Sequence, residues 1–202
     1  MKSESIVFAV AGMCFGVILG WVIGVQQAGN RAAAPVVATA PAAGQGAARQ
    51  APPLDEARVQ SLMTILKNDP KNAGAMVQLA NTYFDAERYP DAIKWYEEGL
   101  ALDPKNPDAS TDLGISYYYA GQTDRALKQF EHSLSIDPRH TKTMLNQGIV
   151  LAFGKQDLAG AEAKWKQVIE LAPDSPEAQA ARRGLEGIKA AGHPGAGTTP
   201  GS

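Results

Sequence analysis

The sequence predicts an all-α fold in which antiparallel helix hairpins stack one on the next, behind a single membrane-spanning helix. Three observations predict it. Pro70, Pro104 and Pro138 are spaced by 34 residues, and Pro173 follows 35 residues later. Between these prolines small and large residues recur in phase, Ala80, Gly114 and Gly148 at one place, Tyr96, Phe130 and Trp165 at another. Residues 6–25 form an uncharged apolar run of 20 residues, the length that crosses a hydrocarbon core of ~30 Å.

A period of this size marks repeats whose single hairpin cannot bury its own apolar face and must stack. The first unit reads Leu79, Ala80, Tyr83, Ala92, Tyr96 and Pro104. The second reads Leu113, Gly114, Tyr117, Ala126, Phe130 and Pro138, and the third Gln147, Gly148, Leu151, Ala161, Trp165 and Pro173. With these residues in phase, 73–173 resembles the tetratricopeptide repeat (TPR) family. The resemblance implies a right-handed superhelix of three repeats, near 73–106, 107–140 and 141–174, with an N-terminal half-repeat and a C-terminal capping helix. The third unit departs from the family in having Gln147 for Leu and Leu151 for Tyr. It also carries one extra residue between Leu151 and Ala161, expected in the turn near 155–157. The physical basis of the pattern is helix contact. Small residues let the two helices of a hairpin approach, aromatics fill the space between neighbouring hairpins, and each proline ends a second helix.

Taken in order, residues 1–27 are expected to be a transmembrane signal-anchor. A cleavable secretory signal is the rival, but its apolar core is usually ~7–15 residues. Lys2 precedes the run and Arg31 is the next charge after it, which favours a cytoplasmic N-terminus. The repeats are then expected outside the cytoplasm, on a single-pass protein of the inner (cell) membrane. Gly12, Gly16, Gly20 and Gly24 are spaced by four and form one narrow stripe on a helix, a packing face for a second membrane helix. Residues 28–53 are rich in Ala, Pro, Gly and Gln and read as a linker, with a root-mean-square span of roughly 25–30 Å. Residues 54–190 form the expected repeat domain. Its first helix, 54–68, places Leu54, Val59, Leu62, Ile65 and Leu66 on one face. It reads as the second half of a repeat, covering the first hairpin as a cap.

The repeat helices have readable ends. Asn72 caps a helix over 73–86, and Pro90 sits early in the next, where a missing N–H costs little. Asn106 and Pro107 repeat this start for 107–120, Gly121 stops it, and Thr123 with Asp124 opens the following helix. Helices are expected over 141–154 and 157–171, then a cap from Ser175 to about Lys189. Residues 191–202 are Gly, Pro and Thr rich and read as a disordered tail.

Net charge is −2, so no field for nucleic acid is implied. Cys14 lies inside the apolar run, and His132, His140 and His193 have no ligand-like spacing and read as solvated surface groups. No catalytic constellation, phosphate loop, metal set or cofactor motif appears, so the chain is not expected to be an enzyme. The TPR resemblance implies instead a concave face lined by the first helix of each hairpin, which takes extended peptides or short helices. Carried over residue by residue, that face presents Asn81, Phe84 and Asp85 from the first repeat. The second presents Asp108, Thr111, Asp112, Ile115, Tyr118 and Tyr119, and the third Lys142, Leu145, Asn146, Ile149 and Phe153. The alternative for the aromatics is core packing. One mode of the family clamps a terminal carboxylate. Asn81 and Lys142 match that pattern, but Val77 stands for a Lys and Asn146 for an Arg, which argues against a clamp. Asp85, Asp108 and Asp112 outnumber Lys142, so a neutral or basic peptide is expected.

The layout of one membrane helix, a linker and a few repeats, with Ala161 and Trp165 near the end, also resembles the membrane-anchored TPR subunits of bacterial cytochrome c biogenesis. Those hold the C-terminal part of the apocytochrome for haem ligation. The expected function is therefore a membrane-tethered scaffold that binds a peptide segment of a partner protein. The alternative is a structural homo-oligomer built through the glycine stripe, with the repeats as spacers.

Overall fold

The computed structural model describes residues 51–192. The apolar run with Gly12, Gly16, Gly20 and Gly24, the linker up to residue 50, and residues 193–202 lie outside the described residues. Among the described residues no helix is long and apolar enough to cross a membrane. They form eight α-helices and no strand. In chain order these are α1 (Glu56–Asn68), α2 (Ala73–Asp85), α3 (Tyr89–Leu102), α4 (Pro107–Tyr119), α5 (Thr123–Ile136), α6 (Thr141–Ile149), α7 (Leu158–Leu171) and α8 (Pro176–Gly192). A π-helical turn, Val150–Gly154, continues α6.

Side-chain caps set the helix starts on the repeat's own beat. Asn72 accepts from the Ala75 amide and Asn106 from the Ala109 amide, each at 2.9 Å. Ser175 does the same for Ala178 at 3.0 Å. A side-chain oxygen here satisfies an amide that the helix itself leaves without a partner. His140 occupies the equivalent place before α6 and caps nothing. Helix α1 begins two residues later than expected because Asp55 is its cap, accepting from Arg58 at 2.9 Å. Helix α8 runs on to Gly192, past the expected end near Lys189.

The ends of the first helices locate the extra residue of the third repeat. The Arg88 amide donates to Tyr83 and the Gln122 amide to Tyr117, a five-residue reach in both. In the third repeat the Asp157 amide donates to Leu151, a reach of six. Sequence spacing put the insertion in the turn near 155–157; the helix instead widens before it, with the Lys155 amide on the Val150 carbonyl at 3.1 Å. A π turn absorbs one residue without breaking backbone pairing. After each of these first helices one residue turns left-handed, Glu87 at φ 56°, Gly121 at φ 76° and Gln156 at φ 58°. Only Gly121 does so without a Cβ in the way.

Packing follows the small-against-large pattern. A Cβ on Gly114 would lie 2.5 Å from the ring of Phe130, which is fully buried. Gly148 faces the indole of Trp165 in the same manner, and a Cβ on Gly184 of α8 would meet its other side at 2.7 Å. Trp165 is 1 % exposed, and its indole N–H donates to the Leu145 carbonyl at 3.1 Å. Ala92, Ala126 and Ala161, the small places of the second helices, are sealed. Helix α1 closes the N-terminal end, with Leu62 and Leu66 packed on Ala75, Met76 and Leu79. Ile65, expected on that face, is 42 % exposed, lying past the edge of the packed arc. Successive first helices also touch, α4 against α6 and α6 against α8. They form an inner layer, with the second helices α3, α5 and α7 outside it.

Two substitutions test this packing. Gly114→Ala is expected to lower the thermal midpoint of the repeat domain by an amount equivalent to ~1–3 kcal/mol, because the Phe130 ring has nowhere to retreat. An unchanged midpoint would refute the contact. Gln147 stands where Leu79 and Leu113 fill the core, is 6 % exposed, and its side-chain carbonyl has no hydrogen-bond partner. Gln147→Leu is therefore expected to stabilise by about 1–3 kcal/mol, and a lowered midpoint would show that the amide is needed.

Candidate functional site: the inner face of the first helices

The inner face divides into an aromatic ledge and a polar floor. The ledge forms where the first helices end. Phe84 meets Tyr119 edge-on, centroids 5.8 Å apart, and meets Tyr89 edge-on at 5.5 Å. Tyr89 and Tyr119 stack at 5.0 Å with planes 12° apart, and Tyr118 leans on Tyr119 at 5.9 Å. Edge-on and offset arrangements satisfy the ring quadrupoles. Gly154 leaves room for the next step, since a Cβ there would lie 3.0 Å from the Tyr118 ring. Phe84, Tyr118 and Phe153 hold the same place in successive repeats and are all half-buried, as are Tyr89 and Tyr119. Burial raises the phenol pKa values of Tyr89 and Tyr119 above their ordinary range, and the nearby Glu87 carboxylate adds to both. Tyr89 begins a second helix beside Pro90. Sequence reasoning missed it, because the repeat pattern assigns the inner face to first helices and the equivalent place one repeat on is Thr123.

The polar floor is largely occupied by its own partners. The Tyr96 hydroxyl, buried under this face, donates to Asn81. Burial pushes its pKa well up, and the fields of Asp112 and Asp85 add to that. Lys142 pairs with Asp112 at 2.8 Å and reaches Asp108 at 3.8 Å. Asp112 is 17 % exposed, and desolvation lifts its carboxyl above the usual range against the pull of Lys142. Asp108 is largely exposed; its bond to His140 and the charge of Lys142 hold its carboxyl low. Asp85 is exposed. Partial desolvation raises its carboxyl and Asp112 adds to this, while Arg58 of α1 opposes both.

Several residues assigned to the inner face are inside it. Ile115 is 6 % exposed and belongs to the core with Leu113 and Tyr117. Asn146 is 5 % exposed and turns its amide back to the Lys142 carbonyl at 2.8 Å, which satisfies it within its own helix. Leu145, Ile149 and Thr111 are buried as well. The close approach of α4 to α6 covers these positions.

His140 is not a solvated surface group. Its side chain is 16 % exposed, with one ring nitrogen 3.3 Å from Asp108 and the other 2.6 Å from the Thr143 hydroxyl. Thr143 contacts Thr111 at 2.6 Å and Ser133 at 2.9 Å, and both of those donate to the Pro107 carbonyl. Carboxylate, imidazole and hydroxyl stand in the order that activates a nucleophile. Thr143 is fully buried, however, so no substrate reaches its oxygen and the chain of bonds ties α4, α5 and α6 together. The missing cap at His140, against Asn72 and Asn106, was the available signal.

Comparison with known proteins agrees with this architecture. Residues 80–121 match a family model described as TPR repeat, and residues 111–176 one described as tetratricopeptide repeat. No curated protein matches the sequence. Among solved structures, the first TPR of Spaghetti (RPAP3) bound to the HSP90 peptide SRMEEVD is 25% identical, with TM-score 0.53, covering 61% of this chain and 96% of that one. The type III secretion chaperone SycD of Yersinia enterocolitica, in complex with a peptide of the translocator YopD, is 24% identical with TM-score 0.53, covering 58% of this chain and 92% of that one. MamA is 16% identical with TM-score 0.54, covering 66% of this chain and 88% of that one. The stacked hairpins of residues 80–176 are thus tetratricopeptide repeats, in an all-α helical repeat fold.

Proposed function

We propose that the protein is a membrane-tethered scaffold whose repeats hold a peptide segment of a partner protein against the inner face of α2, α4 and α6, and so aid assembly of a complex. The reading rests on one observation, the row of half-buried aromatics Phe84, Tyr118 and Phe153 at equivalent places of three repeats. Their counterparts inside the hairpins, Tyr96, Phe130 and Trp165, are sealed. Half-exposed aromatics on a rigid concave face are what peptide anchors dock against. The RPAP3 domain, similar at 25% identity, holds a peptide, which supports the same use here. The tether is inferred from the apolar run 6–25, and an extracytoplasmic position for the repeats from Lys2 before it. A part in cytochrome c maturation is a narrower reading, suggested only by the sequence layout of apolar run, linker and repeats with Ala161 and Trp165 near the end.

Tyr118→Ala combined with Phe153→Ala is expected to weaken peptide capture by about thirtyfold or more, the equivalent of ~2 kcal/mol. Helical content is measured alongside, and Lys128→Ala on the outer helix α5 serves as the control that changes neither. A folded double variant that captures peptide as the wild type does would remove the groove from consideration. The four-residue spacing of Gly12, Gly16, Gly20 and Gly24 favours a second reading, self-association through the membrane helix, and in that case the groove variants leave assembly untouched.

For the tether, a C-terminal reporter that works only outside the cytoplasm is expected to be active. Activity of a cytoplasm-restricted reporter in its place would overturn the orientation.

A further inference from the structure

The aromatic ledge is bordered by carboxylates, and the cation at its turn, Arg88, lies over the Tyr83 ring and pairs with Asp91 at 2.7 Å. Asp85 follows Phe84 directly, is exposed, and makes no ion pair among the described residues. Glu87, also exposed, acts on the hydroxyls of Tyr89 and Tyr119 from the turn after α2. Asp112 lies deeper and acts on the same Tyr96 hydroxyl as Asp85 does. Of the cations near this face, Lys142 is engaged and Arg58 is not paired with Asp85. Lys142 is held by Asp112 and Asp108, and Arg58 stands at the α1 end, where its field reaches Asp85.

Resting on the peptide-binding reading above, we propose that the groove selects a basic segment, an extended peptide with a lysine or arginine whose head meets Asp85 and whose stem lies along Phe84 and Tyr119. Each part of such a side chain has a counterpart here. A guanidinium or ammonium over an aromatic face gains from the ring quadrupole, and the alkyl stem covers apolar ring surface while the head stays polar. Asp85 is exposed, so its contact with such a cation is a rim pair that chooses the sign of the ligand's charge more than it adds affinity. An acidic ligand fares worse. The peptide on the RPAP3 domain ends in Glu-Glu-Val-Asp; here it would face Asp85, Asp112 and Glu87, and like charges brought together select against it.

The experiment pans a random dodecapeptide display library against the full-length protein and sequences what is retained. The expected result is several-fold enrichment of Lys and Arg over the unselected library. A synthetic copy of the most enriched peptide is then expected to bind Asp85→Asn about threefold to fivefold more weakly than wild type, and wild-type binding is expected to weaken with added salt. Neutral or acidic peptides that are retained by wild type and lost from Tyr118→Ala would overturn the basic selectivity and leave the groove reading standing. Basic peptides that bind Asp85→Asn and Glu87→Gln as tightly as wild type would also overturn it, by placing the charge contact elsewhere. No retained peptide of any kind would overturn both.

Discussion

Every hairpin of this domain closes on one contact, a position with little or no side chain on the first helix against an aromatic ring on the second. Gly114 receives Phe130 and Gly148 receives Trp165; Ala80 takes the same place opposite Tyr96 in the core of the first hairpin. The rings are sealed, so they have no slack to offer. Because the ring sits where a side chain would be, the two backbones approach closely, and in the third hairpin the same ring, Trp165, also meets Gly184 of α8. That geometry places successive first helices in one layer, where α4 meets α6 and α6 meets α8. The inner face is therefore a consequence of a contact buried behind it, and the rigidity of any site on that face is inherited from the ring packing.

Polar bonds then fix the register between repeats. Three hydroxyls from three helices, Thr111, Ser133 and Thr143, meet within 3.0 Å of one another, and His140 links them to Asp108 at the rim of the groove. On the outer side Arg125 of α5 lies 4.0 Å over the Tyr117 ring and bonds Glu97 of α3 at 2.9 Å. Tyr117 donates to the same carboxylate. Apolar packing alone tolerates sliding of one helix past another, whereas a buried hydroxyl left without its partner loses the full value of its hydration. The aromatic contacts supply the burial, and these bonds choose one alignment among those that burial permits. Gln147 is the exception, a buried carbonyl outside any network, in the repeat whose first helix also ends in a π turn.

The repeat architecture was legible because it is written in residues whose role is steric and periodic. Proline at a helix end, glycine under a ring and asparagine at a cap each act at one position, so their spacing transfers directly to structure. The inner face was legible only in part. The periodic pattern places Ile115 and Asn146 on the face, yet it carries no information on how closely α4 and α6 approach, and that approach buries both. Tyr89 was invisible for the opposite reason: it joins the ledge from a second helix, through a stack on Tyr119 that has no equivalent in the other repeats. His140 was misjudged because ligand spacing was the test applied to it. Its signature was the loss of a cap at a place where Asn72, Asn106 and Ser175 keep one.

These departures from periodicity are where this repeat domain acquires its own chemistry. A regular stack would carry the same residue at each inner position, and its groove would be equivalent along its length. Here Asp85, Tyr119 and Gly154 occupy one position in turn. The glycine opens space for the Tyr118 ring, the tyrosine builds the ledge, and the aspartate sets a charge beside it. Lys142 is the cation a carboxylate ligand would need, but Asp112 holds it at 2.8 Å, and freeing it would strand a carboxyl that desolvation already raises. Breaking a partly buried pair costs more than the pair contributes, so the floor resists the arrangement that binds acidic termini. The repeat supplies the scaffold, and under the basic-segment proposal the irregular side chains at its helix ends would decide the sign of charge it accepts.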